Sequence, residues 1–396
     1  MREGWKEYRL GDVAQYINEK IDANLLNTAN YISADNMLPD KGGITLSEYL
    51  PTSGKVTKYA QKDILVSNIR PYFKKIWYAK NDGGGSNDVI VFRAKSDLID
   101  KTFLYYNLSR NEFFDFMMAG ANGTKMPRGN KKAIPSFKIH LPPLPTQRKI
   151  AKILSAYDDL IENNLKRIKL LEEMAQKTYE EWFVRFKFPG HETAKFDKET
   201  GLPEGWRNVK IKDLVIFSQG LQVPIEDQSL VKKKNYKRFI RIVDITQGGQ
   251  EERFVCSNNK RYEVKEDDLF MIRYGSPMPV IGHSGIIANN FFKIQIKNEQ
   301  QINTKYLFYF LSQKYIKDYL LAISVSSTMP AISFKTFGHL KIILPKISIQ
   351  SDFAEKINNF FKIIKGLKKQ NQRLKEARDI LLPRLMTGML FRPFAA

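Results

Sequence analysis

Cysteine is almost missing from this chain of 396 residues: Cys256 is the only one. An internal disulfide framework and any multi-cysteine metal site are therefore excluded. Histidine is scarce too, at positions 140, 191, 283 and 339, and His191-Glu192 is not followed by a second histidine at zinc-binding spacing. No stretch approaches the ~18 apolar residues that cross a bilayer. The opening MREGWKEYRL holds no apolar run of the kind a secretory signal needs. The expected compartment is the cytoplasm, away from any membrane. Acidic residues are also in deficit. Asp and Glu number 42 against 64 Lys and Arg, which leaves a formal net charge of +22. A surplus of that size points to a polyanionic partner, nucleic acid first. With 43% hydrophobic residues the chain can bury real cores, and its length suits two or three domains.

Catalytic signatures are lacking as well. A phosphate loop needs GxxxxGK[ST]; around Gly54-Lys55 the pattern fails at Tyr49 and Val56. No GxGxxG stands between a strand and a helix, and Gly83-Gly84-Gly85 reads as a turn between two strands. His140 and His339 read as structural histidines, and Asp158-Asp159 as a solvated or docking face of a helix. The reading is a chain with no catalytic residues, no metal and no cofactor of its own.

What is present is a long repeat. Phe103-Leu104-Tyr105-Tyr106-Asn107-Leu108-Ser109 returns as Tyr306-Leu307-Phe308-Tyr309-Phe310-Leu311-Ser312, Met126-Pro127 as Met329-Pro330, Leu141-Pro142 as Leu344-Pro345 and Gln147 as Gln350. All four share an offset of 203 residues (306−103, 329−126, 344−141, 350−147), and Gly4-Trp5 returns as Gly205-Trp206 at 201 (205−4). Each copy is a globular segment followed by a helix. Short strands are expected near 63–67, 88–92, 268–272 and 291–296, single amphipathic helices over 102–117 and 303–320, and last strands over 137–141 and 339–344. Residues 189–205, rich in Gly, Pro and charge, read as a connector.

The helices carry the pattern that organises the chain. Over 147–186, Leu154, Tyr157, Ile161, Asn164, Ile168 and Leu171 fall four and three apart, as in a two-per-heptad seam. The second seam, within 350–386, holds Ile357, Phe360, Ile364, Leu367, Asn371 and Leu374. Neither helix is stable with that stripe in water, so each is expected to bury its stripe on the other. Forty residues at ~1.5 Å each make a rod of roughly 60 Å. The expected fold class is α+β: two repeated mixed α/β recognition domains separated by a long antiparallel two-helix coiled coil with an approximate two-fold. The expected division is 1–143 for the first domain, 144–187 for the first helix, 188–346 for the linker and second domain, and 347–396 for the second helix and tail. Such a rod would space two half-sites about one DNA turn apart. Asn164 and Asn371 interrupt the seams near their middles, as register-setting polar residues do.

The chain resembles the specificity subunit of type I restriction-modification enzymes. The resemblance rests on Leu141-Pro142-Pro143-Leu144-Pro145-Thr146-Gln147-Arg148, Asp158-Asp159, Leu171-Glu172, Trp182-Phe183, Leu202-Pro203-Gly205-Trp206 and the tail Leu382-Pro383-Arg384-Leu385. It covers the whole chain, is strongest in the helices and linkers, and departs at Leu344-Pro345-Lys346-Ile347, which lacks the extra prolines of the first copy. It implies that the chain reads a split target in double-stranded DNA, docks two methyltransferase subunits along its helices and is joined by restriction/translocase subunits. S-adenosylmethionine would then belong to the methyltransferase partner. The (Asn/Asp)-Pro-Pro-(Tyr/Phe) tetrapeptide common to adenine methyltransferases does not occur here.

The DNA-contacting candidates are basic and aromatic. In the first half they are Arg70, Tyr72, Lys74 and Lys75, then Lys125, Arg128, Lys131 and Lys132 just before the last strand. In the second half they are Lys234, Arg238 and Arg241, then Arg273, Tyr274 and Lys335. Cations on phosphates give affinity without sequence preference, while side chains on base edges give specificity. Two other classes remain open from the residues alone: a self-contained methyltransferase or nuclease, and a scaffold that binds nucleic acid without sequence preference.

Overall fold

A computed structural model describes residues 4–389 apart from 96, 122, 124, 247–250 and 324–330. The chain forms two units, residues 1–165 with 368–396, and residues 166–367. The first long helix, Leu144–Tyr179, continues into a π-helical turn, Glu180–Val184, and the second runs over Ile347–Met386. Pro145 lies in the first turn of the first helix, where a missing N–H forfeits no hydrogen bond. No described helix is long and apolar enough to cross a membrane.

In the first unit, Lys6–Arg9 pairs antiparallel with the last strand, Lys138–Leu141. A four-stranded sheet follows in the order Ala14–Tyr16, Val89–Ala94, Ile64–Ser67, Ile76–Tyr78. A second sheet runs Lys20–Asp22, Lys55–Tyr59, Gly83–Gly85, Tyr31–Ile32. Asp63 and Arg93, on neighbouring strands, form a two-pronged ion pair of 2.7 and 2.8 Å at the foot of the first sheet. The core joins Phe92, Phe103, Leu104, Phe113 and Ile139 to Ile150 and Leu154 of the first long helix and to Leu382, Leu385 and Met386 of the second.

Within this unit the two long helices run antiparallel. Asp158 meets Arg378 and Asn164 meets Asn371, so one number rises as the other falls. Asn164 Nδ2 donates to Asn371 Oδ1 at 2.8 Å, and the Asn371 amide donates to the Ile161 carbonyl at 3.4 Å. Two buried amides that satisfy each other define a register, because a slip would leave both unpaired.

The second unit repeats the plan. Arg207–Lys210 pairs with Lys341–Leu344, and the first sheet matches strand for strand: Val215–Gln219, Phe291–Ile296, Leu269–Ile272, Pro279–Val280. Asp268 stands in the place of Asp63, but its cation comes from another register position: Lys293, in the place of Val91, reaches it at 2.8 Å. The second sheet differs at its edges. Its order is Arg253–Cys256, Tyr236–Ile240, Gly285–Ile287, Glu263–Val264, so the added outer strand flanks the opposite edge from that of Lys20–Asp22. The core of this unit is aromatic: Tyr179, Trp182 and Phe183 at the end of the first long helix pack on Phe353 at the start of the second, with ring centroids 5.2–5.9 Å apart.

Three expectations need correction. The helices expected over 102–117 and 303–320 are each two, Lys101–Leu108 with Asn111–Ala119 and Thr304–Leu311 with Lys314–Ala322. Ser109 and Ser312 each turn the hydroxyl back on the carbonyl four residues earlier at 2.8 Å, and the next residue, Arg110 or Gln313, is extended. Gly83-Gly84-Gly85 is not a turn but a buried central strand. A Cβ on Gly83 would fall 2.2 Å from the Asn30 carbonyl oxygen and 2.4 Å from Tyr59 Oη, so the sheet closes there only without side chains. Residues 189–205 are no free connector: Phe188 and Leu202 are buried in the second core, Phe188 lies against Trp206 at 5.1 Å, and Phe196 bridges to Pro203.

Candidate nucleic-acid interface

The strand Ile64–Ser67 leaves the first sheet into a turn that closes where the Ser67 N–H donates to the Lys75 carbonyl at 3.0 Å. Loop residues 127–129 lie along that turn. The Arg70 N–H donates to the Pro127 carbonyl at 2.8 Å, the Gly129 N–H to the Asn68 carbonyl at 3.1 Å, and Ile69 bridges to Arg128. Gly129 permits this approach, since a Cβ would stand 2.9 Å from Asn68 Oδ1 and 3.0 Å from the Met117 terminal methyl. Main-chain pairing thus brings together two stretches that the sequence marked separately, 70–75 and 125–132.

The turn is rigid. A short 3₁₀ helix, Pro71–Phe73, sits between Arg70 and Lys74, both left-handed at φ 48° and 51°. Residues other than glycine hold that conformation only where the surroundings over-determine it. Here the Asp40 and Lys41 amides donate to the Phe73 and Lys74 carbonyls at 2.8 and 3.0 Å and clamp the turn from behind. Asn68 Oδ1 and Arg70 Nε are buried with no hydrogen-bond partner among the described residues. Asn68 was not among the residues selected on charge; its position beside Arg70 in the repeat is the signal that could have found it.

The first-half candidates separate by what they touch. Tyr72 is 47% exposed and Phe73 37%. Lys125, Arg128, Lys131 and Lys132 are exposed; Arg128 stands 3.1 Å from the Asp88 carboxylate, and Lys131 Nζ is 3.4 Å from the Asn87 carbonyl. Lys74 is half-buried. Lys75 points inward: its ammonium donates to the Ala34 carbonyl at 2.6 Å, and burial pulls its pKa below the usual lysine value.

In the second unit the corresponding turn closes where the Ile272 N–H donates to the Met278 carbonyl at 3.0 Å. The Arg273 N–H donates to Asn290 as the Asn68 N–H does to Asp88, and Tyr274 bridges to Ala331 as Ile69 does to Arg128. Arg273 therefore stands in the place of Asn68, and Gly275, left-handed at φ 77°, in that of Arg70. The Arg273 guanidinium lies over the rings of Tyr274 and Phe334 at 5.1 and 5.5 Å and donates to the Ile332 carbonyl at 3.1 Å. Lys335 is exposed on the short helix Phe334–Gly338, and Lys234 is exposed ahead of the strand Tyr236–Ile240. The repeat partner of Met126-Pro127 lies outside the described residues.

Arg238 and Arg241 have an internal use. Both guanidinium groups reach Asp244 Oδ1, at 3.1 and 2.8 Å, and the Arg241 N–H donates to Asp244 Oδ2 at 2.8 Å. Burial pushes the Asp244 carboxyl up, but the hydrogen bonds from Arg241 and the charges of Arg238 and Arg241 outweigh it, so its pKa lies below the usual value. A positive run read from sequence is here an internally compensated network.

Along the seams, Leu154, Ile161, Asn164, Ile168, Ile357, Leu367 and Asn371 are buried, and Tyr157, Leu171, Phe360, Ile364 and Leu374 are half-buried. Each long helix is also tied to its own recognition domain by a glutamine. Gln147 accepts from the Asp100 N–H at 2.9 Å and donates to the Leu98 and Pro142 carbonyls, both at 2.8 Å. Gln350 does the same with Asn303, Gln301 and Pro345. Among the described residues no His/Cys/Asp/Glu group could hold a metal ion.

Two copies of one basic α+β domain, each with a strand-end turn braced by a neighbouring loop and each tied to a long helix, define a repeat-built DNA-recognition protein. The sequence signature of the type I restriction modification DNA specificity domain matches residues 2–173 and again residues 203–376, and the chain belongs to that family. It is 25% identical over 409 residues to the type I restriction enzyme MjaVIII specificity subunit of Methanocaldococcus jannaschii, covering 98% of this chain and 93% of that one. It is 26% identical to the HindI specificity subunit of Haemophilus influenzae, covering 97% and 99%. The crystal structure of the type I restriction-modification S subunit from M. genitalium shares the fold, with a TM-score of 0.56, 16% identity and 96% coverage of both chains.

Proposed function

We propose that this chain is the DNA sequence-specificity subunit of a type I restriction-modification complex and reads a bipartite duplex target, one half-site per recognition domain. The observation that carries this is the doubled specificity signature together with a braced turn in each unit, exposed cations beside the first and exposed Lys335 near the second. The cations supply phosphate affinity, and the turns present side chains that differ between the two copies. Methyltransferase subunits, with S-adenosylmethionine bound to them, are the expected carriers of the chemistry, and restriction/translocase subunits the further partners. Leu160, Leu165, Leu170 and Met174 on the first long helix are 48–57% exposed, which supports a docking role for that helix. The cytoplasm is the compartment where such a complex meets the chromosome.

The deciding experiment is methylome sequencing of cells with and without this chain. The expected result is a split methylated motif that disappears on deletion. An unchanged methylome, with duplex binding that shows no sequence preference in competition, would replace this reading with that of a non-specific scaffold.

A further inference from the structure

The two turns differ in length and in what they expose. Between the paired ends, the first runs over seven residues, 68–74, and the second over five, 273–277. The longer turn carries Tyr72 and Phe73, whose rings stand 4.6 Å apart at an interplanar angle of 51°. Large exposed rings normally keep rotational freedom, and ordering them on binding costs entropy. Here the backbone beneath them is fixed by Pro71, by left-handed residues on both sides and by the two amides of Asp40 and Lys41. The Lys75 ammonium lies 5.7 Å from the Phe73 ring centroid. Exposed Arg128 follows Pro127, which accepts the Arg70 N–H, and exposed Lys125 and Met126 precede it. An exposed aromatic tip on a turn braced by a loop that carries exposed Lys125 and Arg128, in a chain of net charge +22, is complementary to stacked bases between phosphates and not to a neutral protein surface.

We infer that Tyr72 and Phe73 form a wedge that enters the base stack of the first half-site and opens one base step, so that this domain reads deformability as well as base edges. Among its described residues the second domain offers no such wedge, because its shorter turn, centred on Gly275, has no equivalent pair. This inference rests on the specificity reading above. Because a forced step costs least where stacking is weak, the wedge would favour a flexible pyrimidine–purine step at a position where no side chain bonds the bases.

The test begins with the full chain and a random-sequence duplex library. An unenriched library would overturn the specificity reading and this inference with it. With an enriched duplex in hand, 2-aminopurine is placed at successive adenines. The expected result is a fluorescence rise at one step of one half-site with the parent chain, absent with the Tyr72→Ala/Phe73→Ala variant. That variant should bind the enriched duplex on the order of 10–100-fold more weakly, since each ring stacked on a base is worth roughly a tenfold change. Its binding to an unselected duplex should change by less than about twofold, because phosphate contacts are untouched. Tyr72→Phe, which keeps the ring, should retain the signal. A mispaired step at the same position should restore much of the variant's affinity, because the unstacking is then already done. Equal losses on both duplexes, an unaltered fluorescence profile, or no rescue by the mispair would each overturn the wedge.

Discussion

Arg378 and Asp158 form an ion pair of 2.6 Å between the two long helices, and Tyr106 donates its hydroxyl to the other oxygen of the same carboxylate, also at 2.6 Å. Recognition domain, first helix and second helix of the first unit meet at one aspartate. At the repeat offset of 203 residues, the second unit has Tyr309 and Phe361, both on its aromatic core. One unit thus fixes this junction with charge and the other with rings. Removing one partner of such a pair leaves an uncompensated charge, at a cost of about 3–5 kcal/mol. Arg378→Met should destabilise the chain by that order in denaturant unfolding, whereas Asp158→Leu should cost less, because Arg378 keeps the Asp379 carboxylate at 3.0 and 3.1 Å. The double variant should recover part of the Arg378→Met loss, because no Asp158 carboxylate is then left without its cation, while Tyr106 still loses its acceptor.

The glutamine at the head of each long helix makes a second prediction. Gln147 is 1% exposed and Gln350 fully buried, and each makes three main-chain hydrogen bonds. Gln147→Ala removes three buried hydrogen bonds to the main chain at once, which should cost on the order of 3 kcal/mol. Gln147→Glu should be at least as damaging, since a carboxylate cannot donate to Leu98 or Pro142. Urea unfolding of the variants measures both.

Asp244 gives a dependence on pH. Its folded pKa is held below the ordinary carboxyl value of 3.8, so its contribution is complete above that value and is lost as the pH falls below it. Asp244→Asn should therefore destabilise the chain at pH 7 by roughly 1–3 kcal/mol, because Arg238 and Arg241 lose their shared carboxylate and keep only Glu252 and main-chain carbonyls. The difference from the parent should shrink as thermal unfolding is repeated towards pH 3.

Salt separates the cations that face outward from those that do not. Lys125→Ala and Arg128→Ala should each lower the slope of log affinity against log salt by about one, if each neutralises one phosphate. Arg241→Ala should leave that slope unchanged and lower the melting temperature instead, because its guanidinium is bound to Asp244. A slope change with Arg241→Ala would refute this internal assignment.

The long helices were legible because a seam of period 3.5 declares itself, and the 203-residue offset paired them. The doubled domain was legible for the same reason. The breaks at Ser109 and Ser312 were hidden because the apolar pattern continues across them, and only a hydroxyl bonded to its own helix marks the stop. Gly83-Gly84-Gly85 carries turn chemistry in isolation; what makes it a central strand is Tyr59 and Asn30, which no local window contains. Among the cations, Arg241 had a readable sign, an acid three residues on. Lys75 had none, since its partner carbonyl, Ala34, lies 41 residues earlier.

The first unit is sewn from two separate segments, with hydrogen bonds that join residues 206–220 positions apart. The second is one uninterrupted segment. Synthesis from the N-terminus therefore sets an order. Residues 166–367 can close on themselves as soon as they leave the ribosome, whereas the core around Ile150 and Leu154 must wait for Leu382, Leu385 and Met386. Until then the first domain carries a helix with its apolar stripe bare, and the turns around Leu382, Leu385 and Met386 are what complete the domain that was made first.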